Sequence, residues 1–450
     1  MERKQMSHLI DIEDPHVPLE DSMGKEFQSL SLLSPACSIY RVPDRLRHLK
    51  QKAYAPKVVS IGPLRHGGSE ALKAMEEHKM RYLRDFVGRT GQTLKFFIDV
   101  VREKEAKLRE CYAETINFTS EKFLKIILVD AAFILEVLLK SSSPKLLEEN
   151  DRIFDKPWLI QDVWADMLLL ENQLPFFILE HLFNSYKTDV LLQNDGTTLT
   201  INKLTVDFFK SRMESPGIEE RWEEILYGDF KIEHFVDLLR HVQFKPDDDE
   251  IATRRNMKLR TLTTPSATEL HEAGVLFKVR EKSKNLFDIK FEKGKLEIPS
   301  FILSDEKEYS IRNSLAFEQC HCSDENYIND YVILIGRLVE TRRDIDLLVK
   351  QGIIENRISN SRDGSLLLNK LADGAILDQE KFYFAALFGE LNKYYNTSWH
   401  RWKAHLKQRY FRTPWAGVSL LAAVFLLILT IVQTVCSLAA FFPTLDPSSN

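Results

Sequence analysis

The residues that could do chemistry in this chain are few, and the tightest group of soft donors is Cys320-His321-Cys322. A structural zinc site needs four donors, usually as two separated pairs, and no second pair is present. Solvent-facing or core cysteines are the expected reading. Glu76-Glu77-His78 sets carboxylates beside an imidazole, yet a helical zinc protease needs a second histidine four residues on, and that position is Tyr82. Ser60-Ile61-Gly62-Pro63-Leu64-Arg65-His66-Gly67-Gly68 is glycine-rich without the Gly-Lys-Ser/Thr ending of a phosphate loop or the spacing of a dinucleotide fingerprint. It reads as a turn whose Arg65 and His66 could meet an anion. Glu171-Asn172-Gln173 lies between the apolar runs MLLL and LPFFIL, where polar groups need a full set of hydrogen bonds. The alternatives are a structural hub and a functional acid with its pKa raised by burial. There is no Gly-x-Ser-x-Gly elbow, and Cys37 has no catalytic context. These residues name no catalytic, cofactor or metal site. The alternative is an enzyme, for example a hydrolase or transferase, whose site brings together residues such as Glu171, His78 or Cys37 from distant parts of the chain.

The elements that would position such residues are mainly α with a small β region, an α+β pattern. Residues 1–30 are polar and acidic with no sustained periodicity, which argues for a flexible leader. A globular domain is expected over 31–398. From Ala71 to Val87 the apolar residues Leu72, Met75, Tyr82, Leu83 and Phe86 recur at helical intervals against a charged face. Glu121 to Lys140 is apolar nearly all round but is interrupted by Lys125, Asp130 and Glu136, so a buried core helix is expected there. Trp158 to Phe183 repeats that character, with Pro175 marking a kink or a fresh helix start. The switch from acidic to basic residues over 245–260 reads as a solvated linker or insertion. VLFKVR, LFDIKFE and KLEIPSFIL are strand-like, and Glu292-Lys293-Gly294-Lys295 suits a hairpin corner. Helical periodicity returns from Tyr327 to Val349 and from Gln379 to Tyr395.

Composition narrows the function classes. The 450 residues carry 61 basic and 66 acidic side chains, a formal charge of −5, so there is no basic excess suited to neutralising nucleic-acid phosphates. The 5 cysteines are too scattered for a disulfide framework, which favours a reducing compartment. The N-terminus lacks the apolar core of a secretory signal.

From Thr413 to Leu445 no residue is charged, and residues 414–442 exceed the roughly 20 residues that cross about 30 Å of hydrocarbon. A transmembrane helix is expected there, followed by a short tail over 443–450. Upstream, the 399–413 segment supplies a membrane-interface collar: Trp399, Arg401, Trp402, Lys403, Lys407, Arg409, Tyr410 and Arg412, continued by Trp415. Its positive charge puts the large domain on the cytosolic side, the arrangement of a tail-anchored protein. In that case the sequons at Asn117 and Asn396 stay unmodified. Thr430, Gln433, Thr434 and Ser437 share one face and could contact a second helix, which makes self-association an expectation. The partners implied are the lipid bilayer and another protein.

Several motifs carry a resemblance. They are CSIYRVPDRLRHLKQKAYAPKVVSIGPLRHGG, MEEHKMRYLRDF, LLLENQLPFFILEHLF, SATELHEAGVLFKV, IPSFIL, IRNSLAFEQC and YFRTPWAGVSLLAAVFLLILTIVQTVCS. Running in this order from Cys37 to Phe442, they resemble the plant family called domain of unknown function 247. One departure is Leu64-Arg65-His66, where the family more often has an aromatic residue followed by histidine. The resemblance implies a plant protein with a single C-terminal span and no established catalytic residues. Family members in grasses are linked to self-recognition between pollen and stigma, which implies partner binding rather than catalysis.

Overall fold

The computed structural model describes residues 17–29, 34–186, 198–246, 258–259, 263–283, 285–322, 325–397 and 414–441. It is mostly helical with two small sheets. The chain divides into two compact units: residues 1–245, 304–329 and 373–375 form the first, and 246–303, 330–372 and 376–450 the second. The first break follows Lys245, and 304–329 then returns to the first unit, which no local charge switch foretells.

In the first unit the Ser120–Ser142 helix is the central element, buried all round from Ile126 to Lys140. It starts at Thr119, whose side chain accepts the Lys122 N–H, satisfying one of the donors that a helix start leaves open. Around it pack the helices Glu70–Thr90, Leu94–Glu103, Phe176–Phe183 and Ile201–Lys210. Tyr82 meets Phe133 edge-on at 5.4 Å, and Phe86 meets Phe97 at 4.6 Å. Trp158 to Phe183 resolves into two helices, Pro157–Asp166 and Phe176–Phe183, the second opening directly after Pro175. Within the span read as a flexible leader, Val17–Ser29 is helical, and Leu19, Met23 and Phe27 along it are exposed.

In the second unit β1 (Leu276–Val279) pairs parallel with β3 (Lys295–Ile298), and β2 (Lys290–Glu292) pairs antiparallel with β3. The two-residue β2–β3 turn puts Lys293 and Gly294 at φ 50 and 79, the left-handed pair that matches strand twist. A side chain at Gly294 would meet the Tyr394 hydroxyl at 2.8 Å. KLEIPSFIL is not one strand. After β3 the chain passes Pro299 and enters β4 (Phe301–Leu303), which pairs parallel with β5 (Ile354–Asn356) in a separate sheet. The expected 327–349 helix is likewise two, Tyr327–Leu338 and Arg342–Lys350. Its break is set by Asp344, which accepts from the Thr341 N–H at 2.8 Å and the Thr341 hydroxyl at 2.7 Å. Phe287 packs among Tyr331, Tyr383 and Phe384 to close this core.

The final helix, Pro414–Phe441, is 28 residues long and apolar enough to cross a membrane; its window Leu421–Leu438 has mean hydropathy 2.4 and none of it is buried. Several expectations lie outside the described residues: 1–16 of the leader, 247–257 of the linker, the tail, and the collar residues Trp399, Arg401, Trp402, Lys403, Lys407, Arg409, Tyr410 and Arg412. The helix includes Trp415, of which only the backbone is described.

Candidate functional site

Residues 57–62 of the first unit pass from the exposed Lys57 into the buried 59–62 stretch without a strand partner, so the buried backbone groups need other partners. Side chains supply them. Asp166, at the end of the Pro157–Asp166 helix, accepts from the N–H groups of Lys57 (2.9 Å), Val58 (2.7 Å) and Val59 (2.9 Å). Asn172 accepts from the Ile61 N–H at 2.7 Å and donates to the Val59 carbonyl at 3.0 Å. Asp130 accepts from the Gly62 N–H at 2.8 Å and pairs with Lys79 at 2.5 Å, while Lys79 also donates to the Ser60 carbonyl at 2.8 Å. Gly62 has φ 73, and a Cβ there would lie 2.5 Å from the Gln173 carbonyl oxygen, so only glycine fits.

Glu171-Asn172-Gln173 is therefore a hub. Glu171 accepts from the Val42 N–H at 2.7 Å and pairs with Arg47 and, at 2.5 Å, with Arg65. The anion that Arg65 meets is thus internal. Gln173 donates to the carbonyls of Met167 (2.7 Å) and Leu169 (2.8 Å) and accepts from the Phe235 N–H at 3.0 Å. Burial pushes Asp166 up to about 6 even against its three amide donors. For Lys79, burial pulls the pKa down, but the Asp130 and Glu76 carboxylates more than reverse it, leaving a firmly charged amine. A proton-transfer group needs a free face toward a substrate, and the carboxylates here are spent on backbone and cations.

Among the described residues no hydrogen bond or ion pair joins any two of Glu171, His78 and Cys37. Burial raises the Cys37 thiol, and it lowers the His78 imidazole. Cys320-His321-Cys322 closes the Asp305–His321 helix. Burial pushes Cys320 up to about 11 and Cys322 to about 12, so both stay thiols. His321 Nδ1 is 3.1 Å from the Tyr40 hydroxyl, and its ring stacks on Phe317. Among the described residues no three His, Cys, Asp or Glu side chains are grouped to hold a metal.

Sequence reasoning missed Asp166 and Lys79 as parts of this interior; Asp166 directly precedes the apolar run MLLL, while Lys79 stands in the charged run Glu76-Glu77-His78-Lys79 and carries no sign of burial. On the final helix, the Thr430 and Thr434 hydroxyls donate to the carbonyls of Leu426 (2.8 Å) and Thr430 (2.7 Å), four residues back.

Over residues 39–429 the chain matches the family model described as a plant protein of unknown function. The UPF0481 protein At3g47200 of Arabidopsis thaliana is 28% identical, the match covering 94% of this chain and 89% of the relative. The putative UPF0481 protein At3g02645 of the same plant is 25% identical over 93% of each chain. No solved structure matches.

Proposed function

The chain belongs to DUF247, a plant family of unknown function, and we propose on that premise that it is a membrane-anchored binding protein whose folded part recognises another protein without catalysing a reaction. The observation that carries the anchor is the Pro414–Phe441 helix, uncharged along its length and with none of its Leu421–Leu438 window buried. An exposed apolar surface of that length is costly in water and at home in hydrocarbon. The basic collar from Arg401 to Arg412 supports a cytosolic folded part. The binding role is supported by Leu19, Met23 and Phe27, which are exposed at four-residue spacing along the Val17–Ser29 helix.

Full-length protein expressed in plant microsomes tests this. It is expected to resist alkaline carbonate extraction, with the folded part digested by added protease and Asn117 and Asn396, both exposed, free of glycans. Extraction into the carbonate supernatant would sink the anchor. Protection with glycans attached would reverse the orientation.

A further inference from the structure

The Val17–Ser29 helix carries an apolar stripe that nothing among the described residues covers: Leu19 is 58% exposed, Met23 44% and Phe27 65%. At about 100° per residue, positions 19, 23 and 27 fall on one face and span about 80° of the helix circumference. The flank at Gly24 is equally clear, since a Cβ added there would meet nothing within 4 Å. A helix of 13 residues is marginal alone in water, and helices of this length draw their stability from packing an apolar face. The stripe is therefore a face that needs a cover.

Charge at its borders says what kind. On the same wheel Glu20 lies about 20° beyond Phe27 and Glu26 about 20° before Leu19, and both are exposed. The stripe thus has a carboxylate on each border, which must face the rim of whatever receives the apolar side chains. A lipid surface offers no fixed cations there, and helices that lie on membranes carry Lys and Arg rather than acids beside their apolar face. A second copy of the helix brings the same acids to the rim, and like charges opposed across an interface are costly. The cover that answers both features is a groove with an apolar floor and basic residues on its two rims, where an amphipathic helix is held by anchors about one turn apart.

We propose that the Val17–Ser29 helix is the recognition element of this protein, with Leu19, Met23 and Phe27 anchored in an apolar groove of a partner protein and Glu20 and Glu26 facing Lys or Arg on the groove's rims. The proposal rests on the reading of the chain as a protein-binding module and names the surface through which it binds.

The test is photo-cross-linking of full-length protein in plant microsomes, with benzoylphenylalanine introduced at Phe27 and the captured peptides sequenced. Capture of one partner protein is expected, at an apolar segment with Lys or Arg beside it. Glu20→Lys with Glu26→Lys should cut the yield at least about tenfold, whereas Asp21→Lys, on the opposite side of the helix, should leave it within about twofold. All of these side chains are exposed, so the fold is not at stake. Cross-links to lipid, to a second copy or to this chain's own folded part overturn the proposal, as does capture that the double charge reversal leaves unchanged or that Asp21→Lys weakens equally. If position 27 captures no protein while the same photoreactive residue at Trp158 or Tyr227, both exposed on the first unit, captures one, the helix is not the binding surface and the binding reading stands. Capture from none of the three positions removes both.

Discussion

Two long apolar helices of this chain have opposite fates. Ser120–Ser142, at 23 residues, and Pro414–Phe441, at 28, both exceed the roughly 20 residues that span a bilayer core. The first carries Asp130, Glu136 and Lys140, all buried, and each finds an opposite charge on the Glu70–Thr90 helix: Lys79 at 2.5 Å, Arg89 at 3.0 Å and Asp85 at 3.0 Å. The second has no charge, and its described side chains are exposed. Length and hydrophobicity do not separate a core helix from a candidate span. Partnered charges do, because an ionised group inside a protein survives only with a partner.

The comparison breaks most visibly by moving charge into the second helix. Leu427→Lys with Ile431→Lys places two ammonium groups near its centre, at about 2.5–3.5 kcal/mol each on insertion scales. Recovery in the carbonate-resistant membrane pellet should collapse while the folded part keeps its helical circular dichroism. Undiminished recovery would mean that this helix is not held by hydrocarbon.

The next largest effect comes from taking a partner away from the first helix. Lys79→Met leaves Asp130 buried beside the Gly62 N–H alone, and orphaning one member of a buried pair costs about 3–5 kcal/mol. Adding Asp130→Asn removes the charge while keeping an acceptor for Gly62, so the double variant should recover most of the loss. Denaturant midpoints of the wild type and the three variants close the cycle. Equal stability of the single Lys79→Met variant would show that the pair is not what makes this helix a core helix.

Lys307 sharpens the rule, since it is a buried amine with no carboxylate partner among the described residues. It donates to Gln243 at 2.7 Å and lies 5.1 Å from the Phe244 ring centre. Burial lowers its pKa to about 7 from 10.5. A folded pKa below the unfolded one means that folding disfavours the charged form, so its stabilising share is complete above 10.5 and is lost as pH falls toward 7. Relative to Lys307→Met, the wild type should therefore gain stability as pH rises from about 7 to 10. Cysteine and tyrosine ionisation is common to both proteins and cancels. A pH-independent difference between them would mean that Lys307 keeps its proton in the fold.

Much of this architecture was legible in sequence where the pattern is local. The core helix at 120–142, the helix start after Pro175 and the Lys293-Gly294 turn follow from periodicity, proline chemistry and left-handed backbone needs. The Asp305–His321 helix was not legible, because Lys307, Glu308, Arg312 and Glu318 are buried alongside its apolar residues, which erases the two-faced pattern. The hub was half visible. Glu171-Asn172-Gln173 stood out between apolar runs, but its partners Val42, Arg47, Ile61, Arg65 and Phe235 lie far away in the chain. Asp166 closes a helix and holds residues more than a hundred positions earlier. Pairings of that kind leave no spacing to read.

The smallest expected effect concerns the polar face of the second helix. Thr430 and Thr434 already donate to carbonyls one turn back, so each hydroxyl has only acceptor capacity left for a neighbouring helix, and a second copy would present hydroxyls occupied in the same way. Interhelical hydrogen bonds average only about 0.6 kcal/mol in membranes. Thr430→Val with Thr434→Val should therefore change dimerisation of the isolated Pro414–Phe441 segment by less than about 0.6 kcal/mol in a bilayer energy-transfer assay. Gln433→Leu should cost more, because its amide both donates and accepts. If the valine pair abolished association while Gln433→Leu did not, the hydroxyls would be facing a partner rather than their own backbone, and the second helix would share with the first a dependence on polar contacts across a helix interface.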